Sequence, residues 1–204
     1  MGTLRRVRIV VLAVVGLGVF GVPPSWAGPP TDDLKSYVDR VVAILDDPAM
    51  KSPAGAGARH RAVQAVANEG LDLNEAARRA LATHWDTRTP GERTRFTELF
   101  TALIYSSYLS RVAGYDGERL AYDTESVRSD EAVVKTRVIA KDGDVTPIEF
   151  RLVRSKDGRW HVWDAVFEGM SLVGNYRAQF GRVIRSASYD ELVKRLELRT
   201  HPTK

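Results

Sequence analysis

The sequence predicts an α+β fold in which helices pack on a four-stranded antiparallel sheet. Apolar residues recur at helical spacing from Leu34 to about Val112. The period changes to two between Arg119 and Phe167, where Asp-Gly pairs mark hairpin turns. Helical spacing then returns near the end of the chain. Helices, then strands, then helices is the order expected of the α+β class.

Composition favours one globular domain and argues against a nucleic-acid binder. The chain has 204 residues, of which 44% are hydrophobic and 27% charged. Its net charge is +4, but Arg5, Arg6 and Arg8 lie in the first 27 residues, which contain no acid. The other 27 of the 30 lysines and arginines are nearly balanced by 26 acidic residues. A nearly neutral domain lacks the basic footprint that phosphate backbones require.

The first 27 residues have the layout of a secretory signal peptide. A basic start is followed by an apolar run of 14 residues, Ile9 to Val22, and then by Pro23-Pro24. Ser25-Trp26-Ala27 has the small-x-small form of a cleavage site. We expect cleavage after Ala27 and one domain over 28–204, because 14 residues are short for a membrane span of about 20. The chain contains no cysteine, which excludes a lipoprotein anchor and disulfides.

Three helices are predicted before residue 85. Pro48 ends the first, and 52–57 reads as a loop. The second passes through 60–68 and stops at Gly70, and the third covers about 74–84. The apolar stripe of the first helix consists of Leu34, Tyr37, Val38, Val41, Val42 and Leu45.

The fourth helix has the clearest start signal. Thr89, Pro90 and Glu92 form a predicted capping box with proline in the first turn. The helix is expected to run to about Val112. It is apolar almost all round towards its end, which predicts that it is buried or walls a cavity. Its apolar residues are Phe96, Leu99, Phe100, Leu103, Ile104, Tyr105, Tyr108 and Leu109.

Four alternating runs predict the strands of the sheet, and two helices follow them. The turns lie at 129–130, 142–143 and 157–158. The last helix begins at Ser188 with a capping box to Glu191. The strands cover about 119–124, 132–141, 148–153 and 160–167, and the helices cover 171 to about 185 and 188 to about 198.

Ser171 lies between Gly169 and Gly174 and raises the question of a nucleophile. The spacing of these glycines is one residue longer than in the G-x-S-x-G elbow. In the hydrolases the serine is followed along the chain by the acid and then by the histidine, which would leave only His201 as the base. Capping of the helix that follows explains Ser171 better. That helix carries a stripe of Leu172, Tyr176, Phe180 and Ile184.

No other catalytic, metal or cofactor pattern stands out. Asp164 and Glu168 share a strand face by spacing, and would serve either as an acid and base pair or as structural hydrogen-bond partners. The sequence has no metal-ligand spacing and no glycine-rich phosphate loop. We therefore predict no catalytic residue, no metal and no cofactor. The many aromatic residues fit either a filled core or an apolar pocket.

The run Trp160-His-Val-Trp-Asp-Ala-Val-Phe-Glu-Gly-Met-Ser-Leu-Val-Gly-Asn-Tyr-Arg-Ala-Gln-Phe180 resembles the most characteristic segment of the MlaC family. These are periplasmic phospholipid-binding proteins, also called toluene-tolerance (Ttg2D-like) proteins. The segments 93–103 and 108–115 are similar to the long central helix of the family and its exit. Leu71-Asp72-Leu73 departs mildly from the usual Phe-Asp-Phe. The resemblance covers about 34–198.

The resemblance implies a lipid carrier in the periplasm. Family members hold acyl chains in a deep pocket between sheet and helices, with the head group near solvent, and they do no chemistry. The partners it implies are an outer-membrane lipoprotein complex and an inner-membrane MCE-domain protein with its ABC transporter. Two alternatives are a hopanoid-associated binder of the same family, and an enzyme on a similar fold that uses Asp164 or His161.

The expected pocket wall combines the helix stripes with the inward strand faces. Arg177 is expected either to meet the lipid phosphate at the mouth or to pair with Asp164 or Glu168. The predicted lipid-binding residues are Phe96, Phe100, Leu103, Tyr108, Val134, Val138, Ile148, Phe150, Leu172, Tyr176, Phe180 and Arg177.

Overall fold

A computed structural model describes residues 29–109 and 114–200 of the chain. The predicted signal peptide, the residues around Arg111 and Val112, and His201 lie outside the described residues, as does the side chain of Tyr108. None of the described helices is long and apolar enough to span a membrane.

Seven α-helices lie within the described ranges. Six follow the predicted order, whereas the short helix at Pro48–Lys51 was not predicted. Short helical turns join some of them: 3₁₀ turns at Pro53–Gly55 and Ala82–His84, and a π turn at Tyr105–Leu109. The helices are α1 (Pro30–Asp46), α2 (Pro48–Lys51), α3 (Ala56–Gly70), α4 (Leu73–Leu81), α5 (Pro90–Ile104), α6 (Leu172–Ser186) and α7 (Tyr189–Thr200).

Two helix ends differ from the prediction for local reasons. The third helix was expected to reach His84, but α4 ends at Leu81 because Ala82 has a φ of 49°, which a continuing helix cannot accommodate. The fourth helix, expected to run to about Val112, changes at Tyr105 into the π turn. Such turns widen a helix and are frequent at functional sites.

The five strands form an antiparallel meander in the order β1-β2-β3-β4-β5. This confirms the predicted class and its four long strands. The fifth strand was missed because it has two residues and follows a tight turn in which Glu168 and Gly169 both have positive φ. The strands are β1 (Arg119–Arg128), β2 (Glu131–Ile139), β3 (Val145–Arg154), β4 (Trp160–Phe167) and β5 (Met170–Ser171).

The register divides the sheet into an apolar inner face and a charged outer face. We define the inner face by Val134 and Val138 of β2, which pair with Phe150 of β3 and Leu120 of β1 respectively. On the outer face Lys135 pairs with Glu149. The inner face therefore offers α1 an apolar surface on which to pack.

Buried side chains form two main cores. The helical core joins α4, α5, α6 and α7, and the sheet core joins the inner face to α1. Asp33 of α1 accepts a hydrogen bond from the Trp160 backbone N–H at 2.8 Å, which fixes α1 across β4. The two cores are thus built on different elements.

Candidate functional site

The inner face of the sheet is closed at one end. Here α1 packs over β1, β2 and β4, and Leu34 inserts its side chain against the sheet. The buried sheet residues at this closed end are Ala132, Val134, Leu152, Trp160 and Val162.

The other end of the inner face is only partly covered. We call it the open half and define it by Leu120, Val138, Ile148, Phe150 and Phe167. The first four are partly exposed, and Phe167 is 39% exposed. Register places them on one surface, since Leu120 pairs with Val138 and Ile148 pairs with Phe167. Exposed apolar side chains that gather on one surface, as these do, are the pattern found at binding sites.

The aromatic residues of the helical core pack closely against one another. Phe100 is fully buried, and its ring contacts those of Tyr176 and Phe180 edge-on, with centroids 5.3 and 5.7 Å away. Phe96 stacks on Phe100 at 5.9 Å, and Leu172 packs partly buried against this core. For Phe96, Phe100, Leu103, Leu172, Tyr176 and Phe180, contact with lipid stays a prediction.

Val134, Val138, Ile148 and Phe150 lie together on the inner face, as the alternation predicted. Val134 belongs to the closed end and the other three to the open half, where Phe150 also packs against the sheet core. Their contact with lipid is likewise still a prediction. The structure thus divides the predicted wall into the open half, one closed-end valine and the filled helical core.

Arg177 is exposed on α6 and forms no ion pair with a described residue. The nearby cation that reaches Asp164 is Arg151, with Nη1 and Oδ2 3.4 Å apart. Glu168 is exposed in the turn after β4. Neither carboxylate therefore engages Arg177, and a role at the pocket mouth stays a prediction.

Ser171 caps α6, as expected from its position. Its hydroxyl accepts a hydrogen bond from the Gly174 N–H at 2.8 Å and donates one to Asp164 at 2.6 Å. Asp164 is 2% exposed and also accepts the Val173 N–H at 2.9 Å. The two side chains together fix the start of the helix.

His161 is directed away from this cluster. One ring nitrogen contacts the Glu69 carbonyl oxygen at 2.8 Å, and the other contacts the Ser155 hydroxyl at 3.1 Å. Over the described ranges, no group of three or more His, Cys, Asp or Glu residues could hold a metal ion. The geometry of Asp164, Ser171 and His161 is that of structural hydrogen bonds.

Tyr122 lies on the inner face beside the open half, where it pairs with Thr136. Its hydroxyl is buried and has no hydrogen-bond partner among the described residues. Burial, with a smaller contribution from the charge of Asp39, raises the pKa of Tyr122 to about 12. The hydroxyl of this phenol is therefore withdrawn from water.

A cavity of about 420 Å³ lies where α1, α2 and α3 approach the end of the sheet. Leu45 and Tyr115 belong to a third apolar cluster that also includes Val63 and Tyr105. Sequence patterns gave no signal for this cavity, because four separate parts of the chain build it. Its lining is Leu45, Asp46, Lys51, Arg59, Tyr115, Asp116, Gly117 and Lys141.

Comparisons with known proteins agree with this architecture. A solved structure from Ralstonia solanacearum, a phospholipid-binding protein in complex with a phospholipid, superposes with a TM-score of 0.72 at 24% identity. The match covers 85% of this chain and 98% of that one. A likeness at this identity supports the fold alone.

A curated relative from Haemophilus influenzae is named the intermembrane phospholipid transport system binding protein MlaC. It is 22% identical over 131 residues. The match covers 62% of this chain and 61% of that protein's length. The family model described as MlaC protein matches residues 35–198. That match spans most of the chain and confirms the predicted family, so the chain belongs to the MlaC family.

Proposed function

We propose that this protein is a periplasmic phospholipid carrier that moves lipid between two membranes. The observation that carries the proposal is the open half of the inner face, where Leu120, Val138, Ile148 and Phe150 form an apolar surface beside buried cores. Acyl chains lying there would complete the coverage of the sheet. The named relatives, which bind phospholipid, support the same assignment.

The physical need for such a carrier follows from hydrocarbon solubility. A diacyl lipid that leaves a bilayer exposes about 30 methylenes, at about 0.8 kcal/mol each. The total, on the order of tens of kcal/mol, prevents free diffusion through water. Protein hydrocarbon in place of bilayer hydrocarbon makes the exchange nearly neutral. Direction must then come from partners, for which we propose an inner-membrane MCE-domain protein with its ABC transporter and an outer-membrane lipoprotein complex.

Binding without chemistry accounts for the polar residues near the site. Asp164 and Ser171 use their hydrogen bonds to hold α6 on the sheet, and His161 bonds to Glu69 and Ser155. These contacts leave none of the three facing the open half as a reactive group. We therefore infer that the protein holds its ligand and does not transform it.

Native mass spectrometry of the chain from Gly28, followed by denaturing extraction and lipid analysis, tests the proposal. We expect diacyl phospholipid at near-stoichiometric load. A hopanoid in its place would assign the protein to the hopanoid-associated alternative. A protein that is isolated empty and takes up no lipid from vesicles would contradict the carrier function altogether.

Phe150→Asp tests the placement of the acyl chains. A carboxylate on the open half should lower the lipid load by about tenfold or more, because burying an unpaired charge against hydrocarbon is costly. Val153→Asp is the matched control, since Val153 lies on the same strand but on the outer face, where it pairs with Glu131. Full load in Phe150→Asp would show that lipid does not lie on the open half.

A further inference from the structure

The cavity at the end of the sheet has an apolar floor and a charged rim. Its floor includes Leu45, which is 5% exposed, and the ring of Tyr115. These two side chains continue into the apolar cluster with Tyr105 and Val63. Such a floor under charged groups suits an amphiphilic ligand, whose apolar part turns inward while its polar part stays at the surface.

We define the rim by Asp46, Lys51, Arg59, Asp116 and Lys141, which carry three positive and two negative charges. Lys51 pairs with Asp46 at 3.2 Å, and Lys141 pairs with Asp116 at 2.9 Å. Arg59 forms no ion pair with a carboxylate of the described residues. The rim therefore has one positive charge in excess. Its two ion pairs are solvent-exposed and contribute little to stability, so a ligand can replace them.

The rim lies next to the open half of the inner face. Gly117 comes two residues before β1 begins at Arg119, and Lys141 comes two residues after β2 ends at Ile139. Leu120 and Val138, which pair in the open half, are each three residues from a cavity-lining residue. A lipid whose chains lie along the open half would place its head group at this rim.

We propose that the rim binds the phosphodiester of a lipid head group, with Arg59 as its principal contact and Lys51 and Lys141 beside it. The proposal rests on the carrier function and adds a head-group site to it. A guanidinium donates two parallel hydrogen bonds to a phosphate, and the single surplus charge of the rim matches the single charge of a phosphodiester. Neutral lipids with the same acyl chains would lack this contact.

The test uses uptake from vesicles that contain phosphatidylglycerol and diacylglycerol with identical acyl chains. Arg59→Gln should lower phosphatidylglycerol uptake about tenfold or more, because the charge-assisted hydrogen bonds of the guanidinium are lost. Diacylglycerol uptake should not change. Arg61→Gln is the matched control, because Arg61 is an exposed arginine of the same helix that does not line the cavity. It should leave the uptake of both lipids unchanged.

Other outcomes would overturn the proposal. An equal loss of uptake of both lipids in Arg59→Gln would indicate a structural role for Arg59. Unchanged uptake of both lipids would show that Arg59 does not bind the head group. If inorganic phosphate binds the wild type through Arg59 while lipid uptake is independent of Arg59, the rim is a site for free phosphate. If the wild type takes up neither lipid, the carrier function itself fails, and this result is distinct from every Arg59-specific one.

Discussion

Asp164 holds together the junction between β4 and α6. Its carboxylate accepts hydrogen bonds from the Ser171 hydroxyl and the Val173 N–H, and Arg151 lies 3.4 Å away. A buried carboxylate with this many partners stabilises the local structure only while all partners are present. Asp164 and Ser171, which raised the question of catalysis in the sequence, are thus accounted for by the geometry of a helix start.

Asp164→Ala should lower the free energy of unfolding by about 2–4 kcal/mol, because a buried donor and a partly buried donor lose their acceptor. Urea denaturation measures this. Asp164→Asn keeps one acceptor oxygen and should lose about half as much. Asp130→Ala is the control, since it removes an exposed carboxylate paired with Arg154 at 2.7 Å and should change stability by less than about 0.5 kcal/mol. A loss no larger than the control's would show that the Asp164 contacts are unimportant.

The buried phenol of Tyr122 makes the free energy of unfolding depend on pH in the alkaline range. Its phenol ionises near pH 10 in the unfolded chain and has a pKa of about 12 in the folded one. Between these values the unfolded state has released the proton that the folded state keeps, so the free energy of unfolding falls as pH rises. Tyr122→Phe should reduce this fall. Denaturation at several pH values above about 9 compares the two proteins. Identical slopes would contradict a buried phenol.

At the scale of elements, the helix α5 begins with the reciprocal contacts that its sequence predicts. The Thr89 hydroxyl accepts the Glu92 N–H at 3.3 Å, and the Glu92 carboxylate accepts the Thr89 N–H at 2.7 Å. The hydrogen bonds that the Glu92 carboxylate accepts from the Thr89 N–H and the Thr89 hydroxyl lower its pKa. The cap fixes the first turn of the helix that carries Phe96 and Phe100 into the helical core.

Thr89→Ala should cost about 1 kcal/mol of unfolding free energy, because an N-terminal donor loses its side-chain acceptor. Thr94→Ala is the control on the same helix. The Thr94 hydroxyl only bonds back to the Pro90 carbonyl at 3.1 Å, so its removal should be neutral or slightly stabilising. Equal effects of the two substitutions in thermal or urea unfolding would argue against the cap.

Local signals explain why these elements were predictable. The capping box at Thr89, the Asp142-Gly143 and Asp157-Gly158 turns and the two-residue alternation all act over a few positions. The strand β5, the break at Ala82 and the cavity around Arg59 depend on segments far apart in sequence or on strained backbone. Periodicity likewise placed Phe100 and Phe150 on inward faces, but it did not indicate how much of each side chain is buried.

At the scale of the whole molecule, bound lipid should contribute to the stability of the folded protein. A ligand that binds only the folded state raises its stability by an amount that grows with the logarithm of ligand concentration. Removal of lipid should therefore lower the melting temperature of the wild-type protein. Phe150→Asp, which we expect to carry little lipid, should show almost no change on the same treatment. Differential scanning calorimetry before and after delipidation measures both, and an unchanged wild type would contradict lipid as part of the fold.

The meander order of the sheet also determines how the chain can fold. Each long strand pairs with its neighbour in sequence, so every hairpin closes a short loop and loses little entropy. The packing of α7 on α5 is different, because Tyr189 donates its hydroxyl to the Glu92 carbonyl at 3.1 Å across 97 residues. We expect the hairpins to form early and this helical closure to come late. The rate of folding should then depend on the turns, and the rate of unfolding on the contact between α5 and α7.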